Sequence, residues 1–212
     1  MQKFRNVLLA SDFDNTLVYT QGALERGEDI PPMCARDRAA ADYFIANGGY
    51  FTISTGRALP AFAPFVSSLP INAPCVIGNG AAIYDFSKNE YVETAFLDAD
   101  IYEHVDALLS RFPALCFEVY HADRRIHVLH PNVFSRNHEH LTRAATVEVK
   151  DFREVDLPII KLLFEEEKPL LDEVRDFIRA QSWSGRYELI FSSDHLLELT
   201  RRGATKGGMV LK

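Results

Sequence analysis

Asp12 and Asp14 stand two residues apart in the run LLASDFDNTL, directly after a short apolar stretch. In extended backbone, residues i and i+2 project to the same side, with Cα atoms roughly 6.6 Å apart. Two carboxylates that emerge together can divide labour: one acts as nucleophile and shares a divalent cation, while its neighbour handles a proton. The plain alternative is a helix cap or a solvated turn, which Asp-x-Asp also supplies. Position favours chemistry. Val7 to Ala10 is an unbroken apolar run, as expected of a parallel strand covered on both faces, and ligands of open α/β sheets bind beyond the carboxyl ends of such strands.

Three other segments suit the same edge. Ser54-Thr55-Gly56-Arg57 follows a strand over Tyr50–Ser54. The Thr55 hydroxyl, the backbone N–H groups around Gly56 and the Arg57 fork are donors suited to an anion such as phosphate. The same residue types also occupy strand-to-helix turns for purely conformational reasons. Gly78-Asn79-Gly80-Ala81 follows a third strand over Pro74–Ile77; its glycines read as the turn by which the chain leaves the sheet, with Asn79 able to line the cleft. Lys206, in Thr205-Lys206-Gly207-Gly208, brings an ammonium that can pair with a nucleophilic carboxylate and neutralise phosphoryl charge. A lone lysine is otherwise a solvated surface residue.

The elements that must hold these residues follow from periodicity. Tyr19–Asp29 reads as a loop. Pro31-Pro32 sets up a helix through about Ile45, stopped by Gly48-Gly49, and Ala58–Ser67 is a helix broken by Pro60 and Pro64. Strands alternating with helices predict a doubly wound parallel sheet. After Gly80 the pattern changes. A helix over Asp100–Phe112 precedes strands at Ala114–Tyr120 and Arg125–His130. A strand at Ile159–Phe164 and a helix across Leu170–Ile178 then precede strands at Tyr187–Phe191 and Leu196–Thr200. A helix followed by a hairpin, occurring twice, predicts an α+β unit with an antiparallel sheet and helices on one side. The expected division is a core of residues 1–81 and 201–212 interrupted by an inserted domain, 82–200.

Composition excludes several functions. With 23 Lys plus Arg against 30 Asp plus Glu, the net charge of −7 argues against a nucleic-acid partner. No apolar run reaches the ~18 residues of a membrane span. The run before Asp12 is too short for a secretory signal, and Cys34, Cys75 and Cys116 fit neither a zinc pattern nor a disulfide framework. A cytoplasmic protein is expected. Among lesser candidates, Arg124 and Arg125 in the run His121–Arg125 could meet an acidic substrate, though a solvated hairpin turn is the favoured reading. His127, His130, His138 and His140 could suggest a metal site, but a polar loop is favoured. Glu165-Glu166-Glu167 reads as a solvated strand end.

Taken together, LLASDFDNTL, YFTISTGR, VIGNGAAIY and LELTRRGATKGG resemble the haloacid dehalogenase superfamily, and within it the Cof-type phosphatases with a type IIB cap. The stretches keep the family's order, and the likeness covers essentially the whole chain. It implies an α/β Rossmannoid core, a parallel sheet with helices on both faces, carrying an inserted α/β cap that closes over the site and sets the substrate. It implies a phosphoric monoester hydrolase acting on small phosphorylated metabolites, sugar phosphates foremost. By that resemblance Asp12 takes the phosphoryl group as an aspartyl phosphate, and Asp14 protonates the leaving group and then activates water. Thr55 holds a phosphoryl oxygen and Lys206 steadies Asp12. Mg²⁺ is held by the Asp12 carboxylate and the Asp14 carbonyl.

The family's further acidic motif, Gly-Asp followed shortly by another Asp, has no counterpart after Lys206, because the sequence stops at Lys212. Three explanations compete: a fragment of a longer chain, which is favoured; a natural truncated product of weak or no activity; or completion of the sheet by another copy or another chain. Without the missing strand the first strand becomes a sheet edge, which invites self-association. Two functional alternatives follow, a non-catalytic phosphate-metabolite-binding protein and a phosphomutase.

Overall fold

A computed structural model describes residues 2–212. The chain forms two compact units, one reaching to Thr94 and resuming at Thr205–Lys212, the other Ala95–Ala204.

The first unit opens with β1 (Leu8–Ser11), α1 (Thr20–Glu25), α2 (Ala35–Ala46) and β2 (Tyr50–Ile53). β1 and β2 pair in parallel, Leu8 opposite Tyr50 through Ser11 opposite Ile53. The Cys34 Sγ caps α2 by accepting from the Asp37 N–H at 3.4 Å, and Gly48, at φ +90°, turns the chain out of it. α3 (Leu59–Phe62) gives way to a 3₁₀ turn over Ala63–Ser68. Each piece carries a proline, Pro60 or Pro64, in its first turn, where a missing N–H costs nothing. β3 (Cys75–Ile77) joins β2 through a parallel bridge between Ser54 and Val76. β4 (Ala82–Asp85) and β5 (Glu90–Thr94) extend β3 antiparallel. Phe13, Phe51, Ile53, Phe62, Ile77 and Tyr84 fill the core.

Three expectations change here. The predicted loop at Tyr19–Asp29 contains α1. β1 is not covered on both faces: it pairs with β2 alone among the described strands, and Val7, Leu8 and Leu9 are about half exposed. The second unit starts at Ala95, not residue 82, because β4 and β5 hydrogen-bond to β3 and so belong to the first unit.

The second unit runs α4 (Ile101–Arg111), β6 (Phe117–His121), β7 (Ile126–Leu129), α5 (Val133–Thr142), β8 (Thr146–Val149), β9 (Ile159–Glu165), α6 (Lys168–Ala180), β10 (Tyr187–Ser193) and β11 (Leu196–Arg201). Its strands lie in the order β10-β11-β9-β6-β7-β8, antiparallel except for β7 with β8. Ile101, Val105 and Leu108 of α4 and Leu171, Val174 and Ile178 of α6 share one core with Phe117, Val119, Leu162, Phe164, Leu197 and Leu199. Side chains alternate along a strand, so Glu118, Lys161, Leu163 and Glu198 take the opposite face. The polar loop expected around His138 and His140 is instead α5. Asn132 caps that helix, its Oδ1 accepting from the N–H groups of Phe134 and Ser135. The chain then returns to the first unit as α7 (Lys206–Val210).

Candidate active site

The sharp turn after β1 is built around Phe13. Its ring is 1% exposed and packs against Phe62 and Phe65, which turns the flanking Asp12 and Asp14 away from the core. The Leu17 and Val18 N–H groups both donate to the Phe13 carbonyl, and the Asn15 N–H donates to Val18. Asn15 takes φ +56°, a left-handed conformation that asparagine tolerates. These bonds leave the Asp14 carbonyl outside the turn's own ladder.

Each aspartate meets a cation. Lys206 Nζ donates to Asp12 Oδ1 at 2.7 Å. Lys206 is the first residue of α7, whose N-terminus is capped by Thr205 Oγ1 accepting from the Gly208 N–H at 3.0 Å. Gly80 makes that placement available. It sits at φ +98°, and a Cβ there would stand 2.2 Å from the Thr205 carbonyl carbon, so only glycine lets the start of α7 come this close. The Gly78-Asn79-Gly80 turn is therefore a seat for α7 as well as an exit from β3.

Arg57 faces Asp14. Its Nε donates to Asp14 Oδ2 at 3.0 Å and its Nη2 to Oδ1 at 2.8 Å, while Nη1 reaches the Ala61 carbonyl at 3.3 Å. The guanidinium also lies over the rings of Phe13 and Phe65. The fork read from the sequence as a phosphate donor is here occupied in orienting a carboxylate. Thr55 is fully buried; its Oγ1 accepts from the Arg57 N–H at 3.1 Å, and its carbonyl accepts from the Asn79 N–H at 3.0 Å. A Cβ on Gly56 would fall 2.9 Å from Asn79 Oδ1, so these two turns are tightly nested. Asp12, Asp14, Thr55, Gly56, Arg57, Asn79 and Lys206 thus converge at one end of the first unit's sheet. The Asp12 carboxylate, whose Oδ1 accepts from Lys206, and the Asp14 carbonyl stand close in sequence. Such hard oxygens fit Mg²⁺, which takes a few protein oxygens and completes its shell with water and phosphate.

The remaining candidates lie in the second unit. Asp123 is tied within its own hairpin, accepting from Arg125 Nε at 2.6 Å and pairing with His121. The hydrogen bond from Arg125 holds its carboxyl well below the usual range. Glu165 is not a solvated strand end: it is fully buried on β9, and burial pushes its carboxyl up to about 7. His138 of α5 stands 3.2 Å from both Glu118 and Glu165. Burial opposes its protonation, but the two carboxylates outweigh that and raise it to about 9. Sequence reasoning missed Glu118 altogether. Its one signal was a carboxylate inside the apolar strand FEVYH, a residue type rarely buried without a partner.

No helix among the described residues is long and apolar enough to cross a membrane. No curated protein matches the sequence. Residues 9–212 match the haloacid dehalogenase-like hydrolases. Among solved structures, a haloacid dehalogenase-like hydrolase from Bacteroides thetaiotaomicron superposes with a TM-score of 0.76 at 20% identity, over 99% of this chain and 75% of that one. A sugar phosphatase of subclass IIB gives 0.74 at 18%, over 97% and 74%. A haloacid dehalogenase-like hydrolase from B. subtilis gives 0.73 at 19%, over 96% and 76%. The fold is thus the superfamily's Rossmannoid core with an inserted α+β cap of the IIB type, and the chain belongs to the haloacid dehalogenase-like hydrolase family.

Proposed function

We propose that this hydrolase is a Mg²⁺-dependent phosphatase of small phosphorylated metabolites, with sugar phosphates as the leading class. One observation carries the reading. Asp12 leaves the end of β1 with one oxygen held by Lys206 at 2.7 Å, beside an Asp14 that Arg57 clamps through both carboxylate oxygens. The subclass IIB sugar phosphatase with the same fold supports the substrate class.

Phosphoryl transfer asks a protein for positioning and for charge neutralisation around an in-line attack. Lys206 fixes the Asp12 carboxylate by one oxygen, which leaves the other to attack phosphorus. The same ammonium neutralises charge that gathers on the transferring group. The Thr55 hydroxyl, which accepts from the Arg57 N–H and keeps its own proton to donate, receives a phosphoryl oxygen. Asp14 gives a proton to the departing alkoxide and later takes one from the water that cleaves the aspartyl phosphate. Arg57, which holds both oxygens of the ionised carboxylate, releases one of them while Asp14 carries the proton and retakes it when Asp14 acts as base. The Asp12 carboxylate and the Asp14 carbonyl would hold Mg²⁺, which would supply further positive charge to the transferring phosphoryl group.

The test is hydrolysis of p-nitrophenyl phosphate, expected with Mg²⁺ and absent in EDTA. Asp12→Asn should lower turnover by on the order of 10⁴-fold or more, as loss of a nucleophile does elsewhere. Retained turnover in that variant would reject the mechanism. Tight phosphate binding without turnover would point to a binding protein, and an isomerised sugar phosphate to a phosphomutase.

A further inference from the structure

We propose that Glu118, His138 and Glu165 form a binding site for a first-row transition-metal dication of the Zn²⁺ or Mn²⁺ kind, built wholly within the second unit. One ligand atom from each of the three residues lies within 4.8 Å of the others. Ligand atoms held about 2.0–2.2 Å from a shared ion are separated by about 3 to 4.4 Å, so a small closing movement completes the set. His138 Nδ1 is 3.2 Å from Glu118 Oε2 and 3.2 Å from Glu165 Oε1. That is the spacing of neighbours around one ion.

The hydrogen bonding points the same way. Glu165 is fully buried, yet neither of its carboxylate oxygens accepts a hydrogen bond, and His138 Nδ1 is buried with no hydrogen-bond partner. The nitrogen is near both carboxylates but not directed along a bond to either, as expected of a lone pair aimed at a point between them. Buried polar atoms without partners call for a missing group. Charge leads to the same conclusion. Lys161 is in contact with Glu198 at 2.8 Å and acts on Glu165 only through space, so His138 is the cationic side chain in contact with both Glu118 and Glu165. A dication with a neutral imidazole balances two carboxylates. A mixed nitrogen and oxygen set favours transition metals over Mg²⁺ or Ca²⁺.

The supports are rigid. Glu118 and Glu165 come from the adjacent strands β6 and β9. Tyr120 donates its hydroxyl to Glu118 Oε2 at 2.6 Å. Asn132, which caps α5, also donates Nδ2 to the Glu165 main-chain carbonyl at 2.8 Å, and so ties the histidine's helix to the glutamate's strand. Outer contacts of this kind hold ligands in place. His138, with a side chain 16% exposed, is the open side of the cluster.

The experiment is a Co²⁺ titration of the full chain after stripping with EDTA, read by visible absorption and isothermal calorimetry. It should show a site with imidazole-type bands that Asp12→Asn retains. Glu165→Gln and His138→Gln should each weaken it by more than about 100-fold, since even outer contacts of metal sites are worth about 10–100-fold. If a variant fails to fold, the imidazole ¹⁵N resonances of the wild type on Zn²⁺ addition test the same ligand, and His138 Nδ1 must shift. No binding, bands lost only in Asp12→Asn, or equal affinity in Glu165→Gln would each overturn the site. None of these readouts depends on phosphatase activity, so the two proposals fail separately.

Discussion

At the end of β1 the side chains of Asp12 and Asp14 are 40% and 32% exposed, and each has its own cation. In the second unit Glu118 and Glu165 are 1% and 0% exposed and share one histidine between them. Water can screen the first pair whenever a partner moves, so its cations are free to serve chemistry. The second pair has no such recourse, because a buried charge must be matched by a proton, a cation or a lysine. Half-open charge is suited to turnover and costs little stability. Closed charge determines whether the unit folds.

The sharpest way to break that contrast is at Lys161, whose pair with Glu198 is almost fully buried. Lys161→Met breaks this buried ion pair and should cost about 3–5 kcal/mol in urea denaturation. Lys161→Met with Glu198→Leu should recover most of that loss, because an apolar pair of similar volume needs no partner. A single variant as stable as the wild type would show that water reaches this face.

Lys206 should behave in the opposite way. Its pair with Asp12 is about two-fifths exposed on both sides. Lys206→Ala should therefore change stability by no more than about 1 kcal/mol. Turnover should fall about 10²–10³-fold, the usual loss on removing one preorganised donor. Steady-state kinetics beside thermal unfolding separates the two. A large stability loss with intact kcat would reverse the assignment.

The difference between the two regions also explains what the sequence made legible. The β1 site is carried by short motifs whose spacing is local: Asp12 and Asp14 flank Phe13, and Thr55 to Arg57 follow β2 directly. The Glu118 cluster is assembled by register. β9 lies between β11 and β6, which sets Glu118 opposite Leu163 and Leu163 opposite Glu198, and no window of sequence contains that pairing. Glu165 was misread because two more glutamates follow it. Only the pairing of β9 with both neighbours buries the first of the three. α5 was missed because its one fully buried residue is Ser135, so the helix has no apolar stripe to read. β4 and β5 were given to the insertion because a change of pattern after Gly80 looks like a domain boundary. The hydrogen bonds of β4 to β3 place the boundary later. The role of Arg57 was half legible: a fork was expected at the site, but its partner is set by the rings of Phe13 and Phe65 that hold it over Asp14.

Gly80 tests how closely the first site depends on backbone. Gly80→Ala puts a methyl into the Thr205 main chain at a positive φ, so α7 must move. The expected cost is about 1–3 kcal/mol of stability. Turnover should drop with KM little changed, since Lys206 loses its aim while the rest of the pocket stays. Gly203, also at positive φ but with open space around it, is the control: Gly203→Ala should leave turnover intact. Equal effects at both positions would mean that the close approach to Thr205 is unimportant.

The smallest expected effect concerns a buried group of the second unit that is already satisfied. His104 stacks on Trp183, and its Nδ1 lies 2.6 Å from the Tyr187 hydroxyl. Burial lowers its pKa below the ordinary value of 6.5. The unfolded chain therefore binds that proton more readily than the folded one. The stability owed to neutral His104 is present above about pH 6.5 and is lost as pH falls below it, until the folded histidine is itself protonated. His104→Gln should flatten this part of the stability-against-pH curve while lowering stability at neutral pH through the lost stacking. Urea midpoints at pH 7.5 and 5.5 for both proteins give the comparison. An unchanged slope in the variant would show that His104 does not govern the acid response; His138 and Glu165 cannot supply it, because both are held above their ordinary pKa values and so favour the folded chain as pH falls.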